Sequence, residues 1–228
     1  MPVGIVTGAS RGLGLALARS LAERSWRLVI DARGAAELER AAGELQRLSD
    51  VIAVPGDVAD DWHRKSLVAA AGPEIDLVVN NASVLGPSPQ PLLADYPRAE
   101  LERVFRVNVF APLALTQLAL PRLAPGAAIV NLTSDAALCA YEGWGGYGSA
   151  KAALEQLSAV LGAERPDLRV YSVDPGDMRT RMHQQAFPGE DISDRPPPED
   201  SVPGILELID GALPSGRYRA ADLAGVTA

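Results

Sequence analysis

The chain has 228 residues, a formal net charge of −8, 47% hydrophobic residues and 22% charged ones, the size and apolar content of one globular domain with a sizeable buried core. The acidic balance, with no Lys/Arg cluster, argues against a nucleic-acid partner. A lone cysteine, Cys139, excludes a disulfide framework, and His63 and His183 stand too far apart to suggest a zinc motif, so no metal site is expected.

In chain order, "VGIVTG" reads as a buried strand and "GLGLALARSLAER" as a helix opening on glycines. "RLVIDA" is a second strand, and "AAELERAAGELQRL" a helix with Leu38, Ala41, Ala42, Leu45 and Leu48 on one face. "VIAVPGDV" is a third strand, after which Asp60 caps a helix running to about Ala71. "IDLVVNNA", a long helix over Leu101 to Leu120, "AAIVNLTS", a helix from Tyr147 to Arg165 stopped by Pro166, and "LRVYSVDPG" follow. Pro188 to Gly204 is acidic and proline-rich and reads as a solvated loop, with a lid over a ligand as the alternative. "ILELIDGAL" and an edge strand "GRYRA" come last. Helices alternating with Val/Ile/Leu-rich strands predict a doubly wound, Rossmann-type α/β fold with a parallel sheet, in one domain.

No targeting segment is visible at the N-terminus. The most apolar helical stretch, Phe110 to Ala124, is interrupted by Pro112, Pro121 and Arg122, so it reads as a core helix and not a membrane span. A soluble, cytoplasmic protein is expected.

Two places carry chemistry. "TGASRGLG", Thr7 to Gly14, lies where the first strand becomes the first helix. Gly8 permits a tight turn, Gly12 lets backbone approach a pyrophosphate, and Gly14 allows close strand–helix packing; Ser10 and Leu13 complete the cofactor-facing turn. The spacing is G-x-x-x-G-x-G and not G-x-G-x-x-G. "IDAR" supplies Asp31 and Arg33, and the turn supplies Arg11. Two cations near one ribose favour NADP(H) over NAD(H), whereas Asp31 argues the other way unless it salt-bridges one of them.

The second place is "GWGGYGSAK". Lys151 is one of two lysines beside nineteen arginines, four residues after Tyr147, so both side chains project from one helix face. An adjacent ammonium lowers a phenol's pKa by roughly 1–3 units, which would fit Tyr147 for proton transfer.

Together "TGASRGLG", "NNA" (Asn80 to Ala82), Asn108 in "RVNVFAPL", Ser134 in "VNLTS", "YGSAK" and "DPG" (Asp174 to Gly176) resemble the short-chain dehydrogenases/reductases in order and spacing, over roughly Val3 to Thr180. The resemblance implies that Tyr147 is the general acid or base, that Lys151 lowers its pKa and holds the nicotinamide ribose, that Ser134 binds the substrate oxygen, and that Asn108 positions a proton-relaying water. It further implies adenine contacts at Asp57 and Val58, cofactor contacts at Asn81 and Ala82, and a carboxamide-bracing segment at Pro175, Gly176 and Thr180. Ala32 followed by Arg33, with Arg11, is similar to the NADP-preferring arrangement. The activity implied is NADPH-dependent reduction of a ketone or aldehyde, or the reverse; a non-catalytic dinucleotide sensor is the alternative. The partners implied are a small carbonyl or alcohol substrate and further copies of the chain, as a homodimer or homotetramer paired through the helices at Leu101–Leu120 and Tyr147–Arg165, with residues 177–203 over the substrate.

Two departures stand out: Ser83 replaces a usual Gly, with no catalytic contact expected, and "GRYRAADLAGVTA" lacks the usual Asp-Gly-Gly ending. Of the remaining residues, Trp144 either lines a substrate pocket or covers the core edge, Cys139 reads as a small buried hydrophobe, and His183 as a solvated histidine on a loop.

Overall fold

A computed structural model describes residues 1–211 and 213–223. The atypical C-terminal ending falls partly on residues 224–228, and the last expected helix includes residue 212; both positions lie outside the described residues.

The expected doubly wound sheet is present. Strands β1 (Val3–Val6), β2 (Arg27–Ala32), β3 (Val51–Pro55), β4 (Ile75–Asn80), β5 (Leu123–Leu132), β6 (Arg169–Asp174) and β7 (Gly216–Arg219) form one parallel sheet in the order β3-β2-β1-β4-β5-β6-β7. Between them run α1 (Gly12–Glu23), α2 (Ala35–Leu45), α3 (Asp61–Ala71), α4 (Arg98–Phe105), α5 (Ala111–Ala119), α6 (Gly145–Glu164), α7 (Arg181–Ala186) and α8 (Val202–Asp210), with α9 (Ala220–Leu223) last.

Both faces of the sheet are covered because successive strand residues point opposite ways. Leu77, Val79, Ala128, Val130, Tyr171 and Val173 pack with α1, α2 and α8, whereas Val78, Ile129 and Val170 face the layer of α3, α5 and α6. Residues such as Leu17, Leu28 and Leu77 are essentially inaccessible, each contributing about 1.5–3 kcal/mol of apolar burial. A polar seam ties the layers: in adjacent strands Asn80 Nδ2 donates to Asn131 Oδ1 (2.7 Å), and Asn131 Nδ2 donates to Ser158 Oγ on α6 (2.8 Å).

Some local expectations shift. Asp60 caps α3 as expected, its carboxylate accepting from the N–H groups of Trp62 and His63. Helix α2 stops at Leu45, so Leu48 leaves the apolar face and is exposed. The helix expected over Leu101–Leu120 starts at Arg98 and widens into a π-helical turn over Arg106–Phe110 before α5. Pro112 accounts for this: it has no N–H for the carbonyl four residues back, that of Asn108, and its ring crowds that carbonyl. The run Arg98–Arg122 is long and apolar enough to cross a membrane, but half of its most apolar window is buried within the protein.

The strand order reverses between β1 and β4, the position where open α/β sheets form a crevice beyond the strands' carboxyl ends.

Candidate active site

The crevice is a cleft of about 980 Å³, lined by the turn after β1, the ends of β2 to β6, the start of α6 and the segment around α7. Its floor is a set of hydrogen bonds joining the β1 turn to the end of β4. The Thr7 hydroxyl accepts from the N–H groups of Asn81 and Ala82 (3.0 Å each), and the Asn81 amide donates to the carbonyls of Thr7 and Gly8 (2.8 and 3.1 Å). Gly14 makes this possible, since a Cβ there would lie 2.4 Å from Asn81 Nδ2.

Gly12 differs: φ is +57°, and a Cβ there would meet only Thr180 Cγ2, at 3.7 Å, leaving the N-terminus of α1 open. No side chain caps that terminus and no acid sits in its first turn. Free N–H groups and the positive dipole end therefore face the cleft, which fits a phosphate.

Asp31 does not pair with Arg11 or Arg33. Its carboxylate is 1% exposed and turned under the glycine turn, accepting from Gly8 N (2.7 Å) and bonding His63 Nε2 (2.9 Å). Both Asp31 oxygens are thus already engaged by groups of the fold. Arg11 instead pairs with Glu37 across 2.8 Å of largely exposed surface, and Arg33 lines the same wall with no ion pair among the described residues. Gly8, Ser10, Leu13, Asp57, Val58, Ala82, Pro175 and Thr180 line the cleft as well, while Gly176 does not.

Tyr147 and Lys151 share one face of α6 and are both buried at the cleft wall. Gly146 lets the helix start sit this close, because a Cβ there would lie 2.3 Å from the Tyr96 ring. Lys151 Nζ donates to the Leu132 carbonyl (2.7 Å) and lies 5.4 Å from the centre of the Tyr147 ring. Burial lowers the Lys151 pKa to about 8, against the opposing pull of Glu155 one turn further on. Burial also pushes the Tyr147 phenol well above its ordinary value; the Ser83 hydroxyl opposes this, and the carboxylates of Asp174 and Asp135 add to it. The expected lowering by Lys151 is thus not the net outcome: the ammonium points at a carbonyl over the ring face, and desolvation of a phenolate outweighs it.

Several other side chains stand elsewhere than expected. Ser83 does touch the catalytic set, through a 3.2 Å bond that its hydroxyl donates to Asn108 Oδ1. Asn108 exchanges hydrogen bonds with the backbone of Val84, accepting from its N–H at 2.9 Å and donating to its carbonyl at 2.8 Å, so its side chain braces the exit of β4. Ser134 follows Leu132 and Thr133 of the cleft wall, its hydroxyl donating to Asp135 (3.0 Å) and accepting from Ala136 N (3.2 Å). Cys139 is exposed. His183 is not solvated: its side chain is 10% exposed and packs 4.9 Å from Phe187. Trp144 covers the edge, 5.8 Å from Tyr147 and 5.9 Å from Phe187.

Sequence reasoning passed over Glu155 and Arg217. Glu155 accepts from Thr133 Oγ1 (2.7 Å) and Arg217 Nε (3.0 Å), and Arg217 also reaches Asp174 (3.2 Å). The spacing of Glu155 from Lys151, one helical turn, was the available signal. Among the described residues, no group of three or more His, Cys, Asp or Glu side chains could hold a metal.

Residues 2–191 match the short chain dehydrogenase family. The chain is 31% identical to a rhamnolipids biosynthesis 3-oxoacyl-[acyl-carrier-protein] reductase of Pseudomonas aeruginosa, over 95% of this chain and 83% of that one. It is 34% identical to sepiapterin reductase of Meriones unguiculatus, over 80% and 76%. A solved short chain dehydrogenase from Escherichia coli CFT073, complexed with NADPH, superimposes with a TM-score of 0.85 at 27% identity, over 96% of each chain.

The buried ammonium gives stability a definite pH dependence. Below pH 8 folded and unfolded chains both hold the Lys151 proton; between pH 8 and 10.5 the folded protein has released it first, and the burial penalty is relieved. Relative to Lys151→Met, wild-type stability in urea unfolding should rise from pH 8 to 10 by on the order of 2 kcal/mol. A constant difference would contradict the burial of a charged amine.

Proposed function

The chain belongs to the short-chain dehydrogenase family, and on that premise we propose that it is an NADP(H)-dependent oxidoreductase that reduces a small ketone or aldehyde to its alcohol, or runs the reverse reaction. The observation that carries this reading is the buried Tyr147–Lys151 pair on the wall of the cleft that also holds the uncapped start of α1. Two of its relatives are reductases and one structural neighbour is an NADPH complex, which point the same way.

In this reading the turn of Gly8, Ser10, Arg11, Gly12, Leu13 and Gly14 holds the pyrophosphate. Arg33 and Arg11 hold the 2′-phosphate, Asp57 and Val58 the adenine side, and Asn81, Ala82, Pro175 and Thr180 the nicotinamide half. When bound, NADPH supplies the hydride that goes to the carbonyl carbon. Tyr147, kept as the neutral phenol by burial, gives its proton to the carbonyl oxygen. Lys151 holds the nicotinamide ribose and compensates the phenolate charge left behind. Ser134 turns its hydroxyl from Asp135 to the substrate oxygen. Asn108 keeps the end of β4 in place through Val84. The domain spans residues 1–228, and the segment from about 177 to 203, which supplies Met178, Met182 and Pro198 to the cleft, covers the substrate.

Homodimer or homotetramer formation through α4–α5 and α6 accounts for Phe110 and Val160, which are 59% and 44% exposed on those two elements. Sedimentation should give a mass of two or four chains; a monomer at micromolar concentration would reject that assembly.

The activity is tested by loss of NADPH absorbance over a panel of aldehydes, ketones and quinones. Turnover is expected, faster with NADPH than with NADH, and Tyr147→Phe should lower kcat by about 10²–10⁴-fold. Tight NADPH binding with no turnover on any compound would favour the sensor, and undiminished activity in Tyr147→Phe would remove the proton-donor assignment.

A further inference from the structure

We propose that His63, acting through Asp31, is a positioning residue for the coenzyme: the pair holds the glycine turn in the shape that takes a pyrophosphate. The proposal rests on the reading of the cleft as an NADP(H) site. Three contacts of Asp31 carry it. Its Oδ1 accepts from Gly8 N at 2.7 Å, its backbone carbonyl accepts from Ala9 N at 2.9 Å, and its Oδ2 lies 2.9 Å from His63 Nε2.

Asp31 thus takes two consecutive N–H groups of the turn, one with its side chain and one with its backbone. Gly8 is fixed from the other side as well. Its carbonyl accepts from Asn81 Nδ2 at 3.1 Å, and a Cβ on it would lie 2.9 Å from Ala82 Cα. With Gly8 held at both its N–H and its carbonyl, the groups offered to an anion are those at the uncapped start of α1. Several N–H groups must converge on one anion there, so a small displacement of the turn weakens more than one bond.

His63 sets where Asp31 can stand. It lies in the first turn of α3, and its side chain is buried. The ring rests on Gly56, where a Cβ would lie 2.2 Å from Nδ1, so a side chain at position 56 would push the ring away. The next residue, Arg64, is buried too and donates to the Val58 carbonyl. The start of α3 is therefore fastened to the β1–α1 turn through His63 and to the Gly56–Val58 segment through Arg64, and both pieces line the cleft. A carboxylate only accepts, so Nε2 supplies the proton of the His63–Asp31 bond. Without that donor, the Asp31 side chain would keep the Gly8 N–H as its partner among the described residues. A buried carboxylate so poorly paired turns towards water or another donor, and Gly8 is released with it.

The experiment measures NADPH binding by its fluorescence in wild type, His63→Leu, His63→Asn and His63→Gln. Adenosine 2′-monophosphate, which carries the adenine and the 2′-phosphate but no pyrophosphate, is titrated as a competitor, and thermal unfolding is followed alongside. The Kd for NADPH should rise about tenfold in His63→Leu, which has no donor, and in His63→Asn, whose donor falls short of Asp31. The Kd for adenosine 2′-monophosphate should stay at its wild-type value. In His63→Gln, whose amide nitrogen reaches the place of Nε2, NADPH should bind within about twofold of wild type. An unchanged Kd for NADPH in the leucine and asparagine variants, a matching loss for adenosine 2′-monophosphate, or no recovery in His63→Gln overturns the proposal alone. Failure of both the leucine and the asparagine variants to fold does the same, since the pair would then serve folding. Wild-type protein that binds no NADPH overturns it together with the NADP(H) reading.

Discussion

The site depends on the burial of a single ammonium. Lys151 is 3% exposed, and a charge that deep is tolerated only with partners, since the penalty for an unpaired buried ion is several kcal/mol. It finds one in the carbonyl of Leu132, the last residue of β5, and a second in the field of Glu155. Glu155 in turn holds Thr133 and Arg217, and Arg217 reaches the carboxylate of Asp174 at the end of β6. The requirement of one lysine thus fixes where α6 crosses the carboxyl ends of β5, β6 and β7. Tyr147, one turn before it, is carried into the cleft wall by the same placement.

The other half of the cleft is built from hydrogen bonds between side chains and backbone. Thr7, Asn81 and Asp31 occupy their polar atoms with backbone groups of the turn and its neighbours, which leaves the start of α1 without a capping side chain. The groups left unsatisfied are therefore the ones that an anion would satisfy. His63, held by Asp31 and packed against Gly56, closes this framework from beneath. The phosphate-binding capacity of the turn is a property of what the surrounding side chains decline to cap.

Much of this was legible in the sequence because it rests on periodicity and on close approach. Continuous Val/Ile/Leu strands alternating with helices can be satisfied only by a sheet covered on both faces, and Gly14 has its meaning through the strand–turn–helix context. What escaped were long-range pairings. Asp31 reads like a ribose ligand until His63, thirty-two residues away, is seen to take its second oxygen. Ser83 reads as an inert replacement until the π turn made by Pro112 brings Asn108 beside it. The direction of the Tyr147 shift depends on burial, which the i, i+4 spacing does not contain. His183 and Cys139 exchange their expected environments for the same reason: loop packing against Phe187 buries the first, and the turn after β5 presents the second to solvent.

Burial holds the Tyr147 phenol above its ordinary pKa, so that in the free protein it stays protonated to higher pH than a solvated tyrosine. The direct measurement is a pH titration of the protein with its five tyrosines labelled with ¹³C at the phenol carbon, using Tyr147→Phe to assign the resonance. The account predicts that the Tyr147 signal keeps its protonated position from pH 6 to pH 10. A signal moving to the phenolate position between pH 6 and 9 would contradict it and would make Lys151, not burial, the dominant influence on the phenol.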